Sequence, residues 1–148
     1  MPTPRTETLN IQTKPIMKVL VVYHTTYGHT LQLARAVEAG VKSVAGVEAV
    51  FRRAPEFPHV EKELEAGDGY ATKIWKEQKD IQPCTLDDLR QADGLLLGSP
   101  TRYGNMTAAM KALIDSTASL WLSGAMEGNL PASSPPRPPR TAVRKQPA

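Results

Sequence analysis

The chain has 148 residues, enough for one domain with a buried core, and its net charge of +3 comes from its two ends. Residues 1–16 contribute +1 and residues 129–148 contribute +4, so residues 17–128 carry −2 and give no indication of a nucleic-acid partner. A single cysteine, Cys84, excludes an internal disulfide framework and favours a reducing cytoplasm, and no apolar run reaches the about 18 residues that predict a membrane span.

The first third of the chain begins with one predicted strand and one predicted helix. Residues 1–16 lack the apolar core of a signal peptide and are predicted to be a disordered extension. Residues 18–23 form a short apolar run rich in β-branched side chains, which is typical of a buried parallel strand. A helical pattern follows from residue 31, and Ala45 with Gly46 predicts its end. Its apolar face comprises Leu31, Ala34, Val37, Val41 and Val44.

The loop between this strand and this helix, residues 25–30, is rich in hydroxyl groups. The first N–H groups of a helix have no partner within the helix, and the helix dipole favours an anion there. Threonine hydroxyls add donors, and Gly28 allows the backbone to approach a ligand closely. The loop therefore indicates a phosphate-binding site that needs no lysine, with an ordinary threonine-capped turn as the alternative. The sequence contains neither a Gly-x-Gly-x-x-Gly motif nor a Gly-Lys-Thr phosphate loop.

The middle of the chain predicts a second strand and a long polar connection. Residues 47–53 alternate apolar and polar side chains, which indicates a strand near a sheet edge that is ended by the following prolines. Residues 55–83 predict a functional or mobile connection with short helical turns at 60–66 and 71–79. We interpret His59 and Trp75 within it as surface packing.

The last predicted elements place a second polar loop after a third strand. Thr85 and Asp88 have the spacing of a capping box that opens a short helix over residues 86–92. Residues 94–98 read as an apolar strand buried on both faces, and the polar loop 99–105 follows it. A helix is predicted over residues 106–118. Its apolar face comprises Met106, Ala109, Met110, Leu113 and Ile114.

The alternation of strands and helices predicts an α/β fold with an open parallel sheet and helices on both faces, connected by right-handed crossovers. Ligands of such sheets bind beyond the carboxyl ends of the strands, where the strand order reverses. In the flavodoxin-like order 2-1-3-4-5, the first and third strands are neighbours. The loops 25–30 and 99–105 are therefore expected to face one crevice.

These two loops and their spacing resemble the WrbA-type NAD(P)H:quinone oxidoreductases, which are flavodoxin-like FMN proteins. The resemblance covers residues 17–128, and the Pro-Thr-Arg-Tyr-Gly-Asn stretch at 100–105 is its most specific part. The matching stretches are residues 18–23, 26–30, 34–37, 98–106 and 120–125. The resemblance implies a partial flavodoxin-like FMN-binding domain over residues 17–128, from which the last strands and the third flavin loop are missing.

The resemblance also implies a role for each matching residue and an activity for the protein. The residues that would hold the FMN phosphate are Thr25, Thr26, Tyr27, Gly28, His29 and Thr30. Those that would border the ribityl chain and the isoalloxazine ring are Pro100, Thr101, Arg102, Tyr103, Gly104 and Asn105. Tyr27 would also contact NAD(P)H, and Trp121 would line the quinone pocket. The implied reaction is two-electron, ping-pong hydride transfer through FMN from NAD(P)H to a quinone, in a cytoplasmic homo-tetramer, with no catalytic side chain and no metal.

Plainer interpretations of single residues remain open at this stage. His24 is more readily a packed or capping residue than a proton donor, and His29 could cap the backbone. Arg102 could be a surface residue, Trp121 a core or interface residue, and Cys84 an inert thiol. The alternatives for the whole chain are a flavodoxin-like electron carrier or regulatory module, and a truncated inactive product that folds poorly or acts only by pairing with intact subunits.

The sequence departs from the family pattern at its carboxyl end. Residues 129–148 contain six prolines, which forbid a central strand or a helix and predict a disordered tail. From Leu130 onward, the third base of each codon can be taken as the first base of a new codon. The amino acids that this shifted frame permits resemble the family's third flavin loop. We therefore hypothesise a frameshift just before residue 130. Sequencing the native DNA tests it, and the absence of an open shifted frame there would refute it. Without later strands, we expect residues 94–98 to form a sheet edge and FMN affinity to be weak.

Overall fold

The computed structural model describes residues 16–126, which form three strands and six helices. The strands are β1 (Met17–Tyr23), β2 (Val47–Arg53) and β3 (Gly94–Gly98). The helices are α1 (His29–Lys42), α2 (Pro58–Ala66), α3 (Tyr70–Glu77), α4 (Leu86–Gln91), α5 (Ala108–Asp115) and α6 (Ala118–Leu122). No helix within this range is long and apolar enough to cross a bilayer. The predictions of a disordered extension, of a proline-rich tail and of a frameshift concern residues outside this range.

The three strands form one parallel sheet in the order β2-β1-β3. Strand β1 pairs with β2 from Met17 opposite Val47, and with β3 from Val19 opposite Gly94. The predicted flavodoxin-like order and the parallel pairing are therefore confirmed for these strands. Because β1 is central, its residues 20–23 are at most 2% exposed, which explains its run of apolar side chains.

Helices cover both faces of the sheet, as the alternating pattern predicts. On one face, Val21 and Tyr23 pack against Ala34 of α1. On the other face, Leu20 and Val22 pack in a cluster with residues of α4, α5 and α6. The members of that cluster are Leu20, Val22, Ala54, Cys84, Leu89, Met110, Leu113 and Leu120. Burial, with the nearby Asp88 carboxylate, raises the pKa of the Cys84 thiol to about 12, in agreement with an inert thiol.

Two helix boundaries differ from the predicted ones because hydroxyl side chains compete with the helix. Helix α1 ends at Lys42, before the predicted stop, where the Ser43 hydroxyl donates to the Gly40 carbonyl at 2.7 Å. Val44 is consequently beyond the helix and 54% exposed. The predicted helix over 106–118 is interrupted after Asp115. There the Ser116 and Thr117 hydroxyls donate to carbonyls three residues earlier, at 2.6 and 2.7 Å.

The polar connection between β2 and α4 contains two formed helices, α2 and α3, where only short turns were predicted. Helix α3 packs inward, so Trp75 is 6% exposed and its interpretation as a surface residue is wrong. The indole lies under the Arg53 guanidinium, whose carbon is 4.7 Å from the ring centroid. His59 is exposed, as interpreted from the sequence.

Strand β3 is less buried than its composition predicts. Leu95, Leu96 and Leu97 are 37%, 43% and 47% exposed, so the prediction of burial on both faces is wrong for the part of the chain described. The reason is its position, because β3 pairs only with β1 and forms an edge of the described sheet. The alternative expectation, that residues 94–98 form an edge, is confirmed within the same range.

The predicted capping box at the start of α4 is confirmed. The Thr85 hydroxyl accepts from the Asp88 N–H at 3.1 Å, and the Asp88 carboxylate accepts from the Thr85 N–H at 2.9 Å. Arg52 of β2 also contacts Asp88, with Nη2 3.1 Å from Oδ1. This carboxylate therefore connects the start of α4 to the sheet.

Stability is expected to fall as the solution is acidified, because three carboxyl groups have lowered pKa values. For Glu38, Glu56 and Asp88, burial by itself raises the pKa, but hydrogen bonds from neighbouring cations or N–H groups outweigh it. The unfolded chain therefore binds protons at higher pH than the folded chain does. The unfolding free energy should be greatest above about pH 5 and should decline as the pH falls below about 4.5.

Urea unfolding at a series of pH values measures this decline. The Asp88→Asn variant should be less stable at neutral pH and should show a shallower decline, because its contribution is already lost. A stability that stays constant or rises on acidification would contradict the lowered pKa values.

Candidate functional site

The two polar loops begin side by side at the carboxyl edge of the sheet. The His24 N–H at the end of β1 donates to the Gly98 carbonyl at the end of β3, at 2.9 Å. On the other side, the Ala54 N–H donates to the Tyr23 carbonyl at 2.7 Å. The first bond fixes the starting points of both loops relative to each other, and the second fixes the chain that follows β2 beside them.

The first loop brings the amino end of α1 to this edge. Gly28 is the N-cap residue with φ of 89°, a left-handed conformation that favours glycine, and its N–H donates to the Thr25 hydroxyl at 3.0 Å. No side chain caps the helix within the described residues, and His29 is exposed at its first position. Neither a histidine cap nor a threonine cap is thus present there. An uncapped helix start with outward N–H groups suits an anion.

The second loop is a tight turn on a hydrogen-bonded base. At the base, the Ser99 hydroxyl accepts from the Thr107 N–H at 3.0 Å. At the tip, Arg102 and Asn105 exchange both backbone bonds, at 2.7 and 2.9 Å. Tyr103 and Gly104 between them have φ of 53° and 78°, the pattern of a two-residue turn with both central residues left-handed. Tyr103 is fully exposed, and the tip therefore projects into solvent.

A side-chain contact joins the two loops. The Arg102 Nη2 atom donates to the Thr26 hydroxyl at 3.2 Å, across 76 residues of sequence. A Cβ on Gly98 would lie 3.3 Å from Thr30 Cγ2, so glycine permits the first turn of α1 to approach β3. The prediction that both loops face one crevice is confirmed. Arg102 is exposed, but it does not point away as a plain surface residue would.

An apolar groove of about 360 Å³ lies between α1 and β3, next to this crevice. Thr30 and Ser99 line its end at the loops, and Leu33, Val37 and Leu96 line its length. The groove is open to solvent, and Leu33, which lines it, is 69% exposed. The loops thus border a larger concave surface.

An aromatic pair extends the site on the other side. Tyr27 of the first loop stacks on Tyr70 at the start of α3, with centroids 6.5 Å apart and rings inclined by 17°. The rings are 54% and 61% exposed, so a flat ligand could reach them. Sequence reasoning missed Tyr70, because the connection 55–83 carries no periodic pattern that places one residue near another. Its position directly after Gly69, at a helix start, was the only local signal.

The other residues singled out from the sequence lie at different depths. His24 is 9% exposed and its Nε2 is 2.9 Å from Glu56 Oε2, which confirms its interpretation as a packed residue. Burial raises the pKa of Glu56, but the hydrogen bonds from His24 and the Phe57 N–H outweigh it and hold the pKa below its ordinary value.

Trp121 on α6 is 72% exposed, so it is not a core residue. Among residues 16–126, the backbone hydrogen bonds of Trp121 connect it only to residues three or four positions away, Thr117 and Gly124.

Comparison with known proteins gives concordant matches. The sequence model of the NADPH-dependent FMN reductase family matches residues 17–130. An NAD(P)H dehydrogenase (quinone) of Syntrophobacter fumaroxidans is 46% identical over 112 residues, covering 76% of this chain and 53% of that protein. One from Geotalea daltonii is 40% identical over 114 residues, covering 77% and 54%. The chain spans about half the length of these curated relatives.

One solved structure aligns with a similar share of the chain. The WrbA-like flavodoxin from Agrobacterium tumefaciens aligns with 74% of this chain and 52% of its own, with a TM-score of 0.47 and 24% sequence identity.

Proposed function

Because the chain belongs to the NADPH-dependent FMN reductase family, we propose that it serves as an FMN-dependent NAD(P)H:quinone oxidoreductase. The observation that carries this proposal is the hydrogen bond from Arg102 to Thr26, which joins two chemically different loops into one site. The curated relatives are named NAD(P)H dehydrogenase (quinone). Residues 17–128 would form the flavin-binding unit.

The first loop would hold the FMN phosphate. Gly28 leaves the first N–H groups of α1 without a side-chain cap among the described residues, and the helix dipole attracts a dianion. Arg102 adds a positive charge within 3.2 Å of the Thr26 hydroxyl. The neutral hydroxyls and the guanidinium together suit a phosphate, so these residues fit the group. The full set proposed for this role is Thr25, Thr26, Tyr27, Gly28, His29 and Thr30.

The second loop would border the ribityl chain and the flavin ring. The Arg102 N–H is used within the turn, whereas Tyr103 and Gly104 present theirs at the exposed tip. Such N–H groups stabilise negative charge on a ring carbonyl. The set proposed here is Pro100, Thr101, Arg102, Tyr103, Gly104 and Asn105. Bound FMN would supply the hydride and electron transfer between NAD(P)H and a quinone.

The substrates would contact aromatic side chains that are exposed to solvent. Tyr27 offers an exposed ring for the nicotinamide nucleotide, and Tyr70 stacks on it and holds its orientation. We assign the quinone contact to the exposed indole of Trp121. No described side chain is assigned as a proton donor, and Glu56 engages His24, the candidate weighed for that role from the sequence.

The proposal is tested with the purified 148-residue chain, FMN, NADH or NADPH, and a benzoquinone. We expect quinone reduction that depends on both FMN and the nicotinamide, with parallel double-reciprocal plots, since both substrates would use one pocket in turn. FMN binding without nicotinamide-driven quinone reduction would favour the electron-carrier alternative. Absence of both, in a chain that unfolds cooperatively, would contradict the proposal.

Substituting Arg102 should weaken FMN binding without unfolding the protein. In the Arg102→Ala variant, the FMN concentration at half-maximal fluorescence quenching should rise about fivefold, the effect of losing roughly one hydrogen bond. The matched control is Arg90→Ala, an exposed arginine on α4, which leads into the opposite end of β3. Equal FMN affinity in the two variants would remove Arg102 from the site.

A further inference from the structure

A small cavity lies beside the start of the first polar loop, where Thr25 lines it. Its volume is about 10 Å³, close to the least space that holds one water molecule. It is bordered by residues from three elements: the end of β1, the end of β2 and helix α3. Its lining includes Thr25, His24, Arg53, Glu56 and Trp75.

Three nitrogen atoms of residues that line this cavity have no hydrogen-bond partner among the described residues. They are His24 Nδ1, Arg53 Nη1 and Trp75 Nε1, and each is fully buried. The Arg53 Nη1 atom comes no closer than 3.8 Å to Glu61 Oε1, which is too long for a hydrogen bond. Buried polar groups without partners are rare in native proteins, so three around one cavity indicate a bound polar species.

The protonation of His24 follows from its neighbour. Its Nε2 lies 2.9 Å from Glu56 Oε2, and an ionised carboxylate only accepts hydrogen bonds. Nε2 therefore carries the proton, and in the neutral ring Nδ1 is an acceptor. With a neutral His24 ring, the cavity presents two donors, from Arg53 and Trp75, and one acceptor, from His24.

We propose that one structural water molecule is bound in this cavity, accepting hydrogen bonds from Arg53 and Trp75 and donating one to His24 Nδ1. Water is the small molecule that matches two donors and one acceptor, and about three hydrogen bonds are typical of a buried water. A halide fits less well, because it cannot donate to Nδ1 and because the Glu56 and Glu61 carboxylates stand nearby. The water would join α3 and the ends of β1 and β2 beside Thr25, whose hydroxyl holds the Gly28 turn.

Nuclear magnetic resonance can test the site on the intact chain. The chain has two tryptophans, so its spectrum should contain two indole N–H signals, and the Trp121→Phe variant assigns them. We expect the Trp75 indole proton to show a cross-relaxation peak with water of the sign given by a long-lived bound molecule. The 72% exposed indole of Trp121 should show only rapid exchange with solvent. Lack of a long-lived water signal at Trp75 would overturn the proposal.

Two further readouts separate water from other occupants. The ¹⁵N shift of His24 should report an unprotonated Nδ1 that accepts a hydrogen bond, and a protonated Nδ1 would contradict the assigned bonding. Titration with sodium chloride should leave the Trp75 indole signal unchanged. A shift of this signal that saturates with chloride would show that an anion, and not water, occupies the cavity. All three measurements use the unmodified cavity, so a folding defect in a Trp75 variant cannot obscure the result.

Discussion

Replacing Gly28 with alanine should both destabilise the protein and impair the first loop. Gly28 has φ of 89°, where an alanine costs about 1–2 kcal/mol. The added Cβ would also lie 3.0 Å from Cδ1 of Ile74, a side chain that is 6% exposed and cannot withdraw freely. Overpacking of this kind costs roughly a further 1–3 kcal/mol. Because the strain falls on the turn that begins α1, we also expect FMN affinity to fall about tenfold or more.

The matched control for this substitution is Gly46→Ala. Gly46 has φ of 79°, and a Cβ there would meet nothing within 4 Å. It lies between α1 and β2, at the other end of the sheet from the polar loops, so only the backbone cost should appear. Urea unfolding and FMN fluorescence titration measure the two effects. If both variants lose equal stability and retain equal FMN affinity, the contact with Ile74 is not a constraint on the loop.

Truncating Leu120 should give the second large effect. Leu120 on the short helix α6 is 2% exposed and belongs to the core cluster on the α4–α5 side of the sheet. Leu120→Ala removes buried methyl groups and leaves a cavity, at a typical cost of about 2–5 kcal/mol. That loss is a large fraction of the stability of a domain of this size, which is on the order of 5–15 kcal/mol. The variant should therefore unfold at much lower urea concentration.

Leu122→Ala is the control within the same helix. Leu122 is 85% exposed, so the same chemical change should alter the unfolding free energy by less than about 0.5 kcal/mol. The comparison isolates burial, because helix propensity changes equally in both variants. Similar losses in the two variants would mean that α6 does not pack on the sheet as described.

The elements that could be predicted from the sequence are those whose pattern is local. The apolar run that ends before His24 predicts a strand at the centre of a sheet, because only there are both faces of the strand buried. The spacing of Thr85 and Asp88 predicts a capping box without any other part of the chain. The two polar loops were also identifiable, because each follows directly on such a strand. The strand order brings these loops side by side, whereas the hydrogen bond from Arg102 to Thr26 could not be predicted from it.

The errors concern residues whose environment is set by distant parts of the chain. Trp75 lies in a polar segment without apolar periodicity, yet the Arg53 side chain covers its ring and helix α3 turns it inward. The leucines of β3 have the composition of a central strand, but burial requires neighbours on both sides, and the described sheet provides one. Tyr70 joins the site only through its stacking on Tyr27.

The order of the strands also determines when in folding the site can exist. The first loop is complete once β1 and α1 have formed, but the second reaches it only when β3 pairs with β1, more than 70 residues later in the chain. Closing so long a stretch of chain is entropically costly and slow compared with forming a helix. A ligand that needs both loops therefore binds only chains in which β3 has paired with β1, and its binding stabilises the folded state.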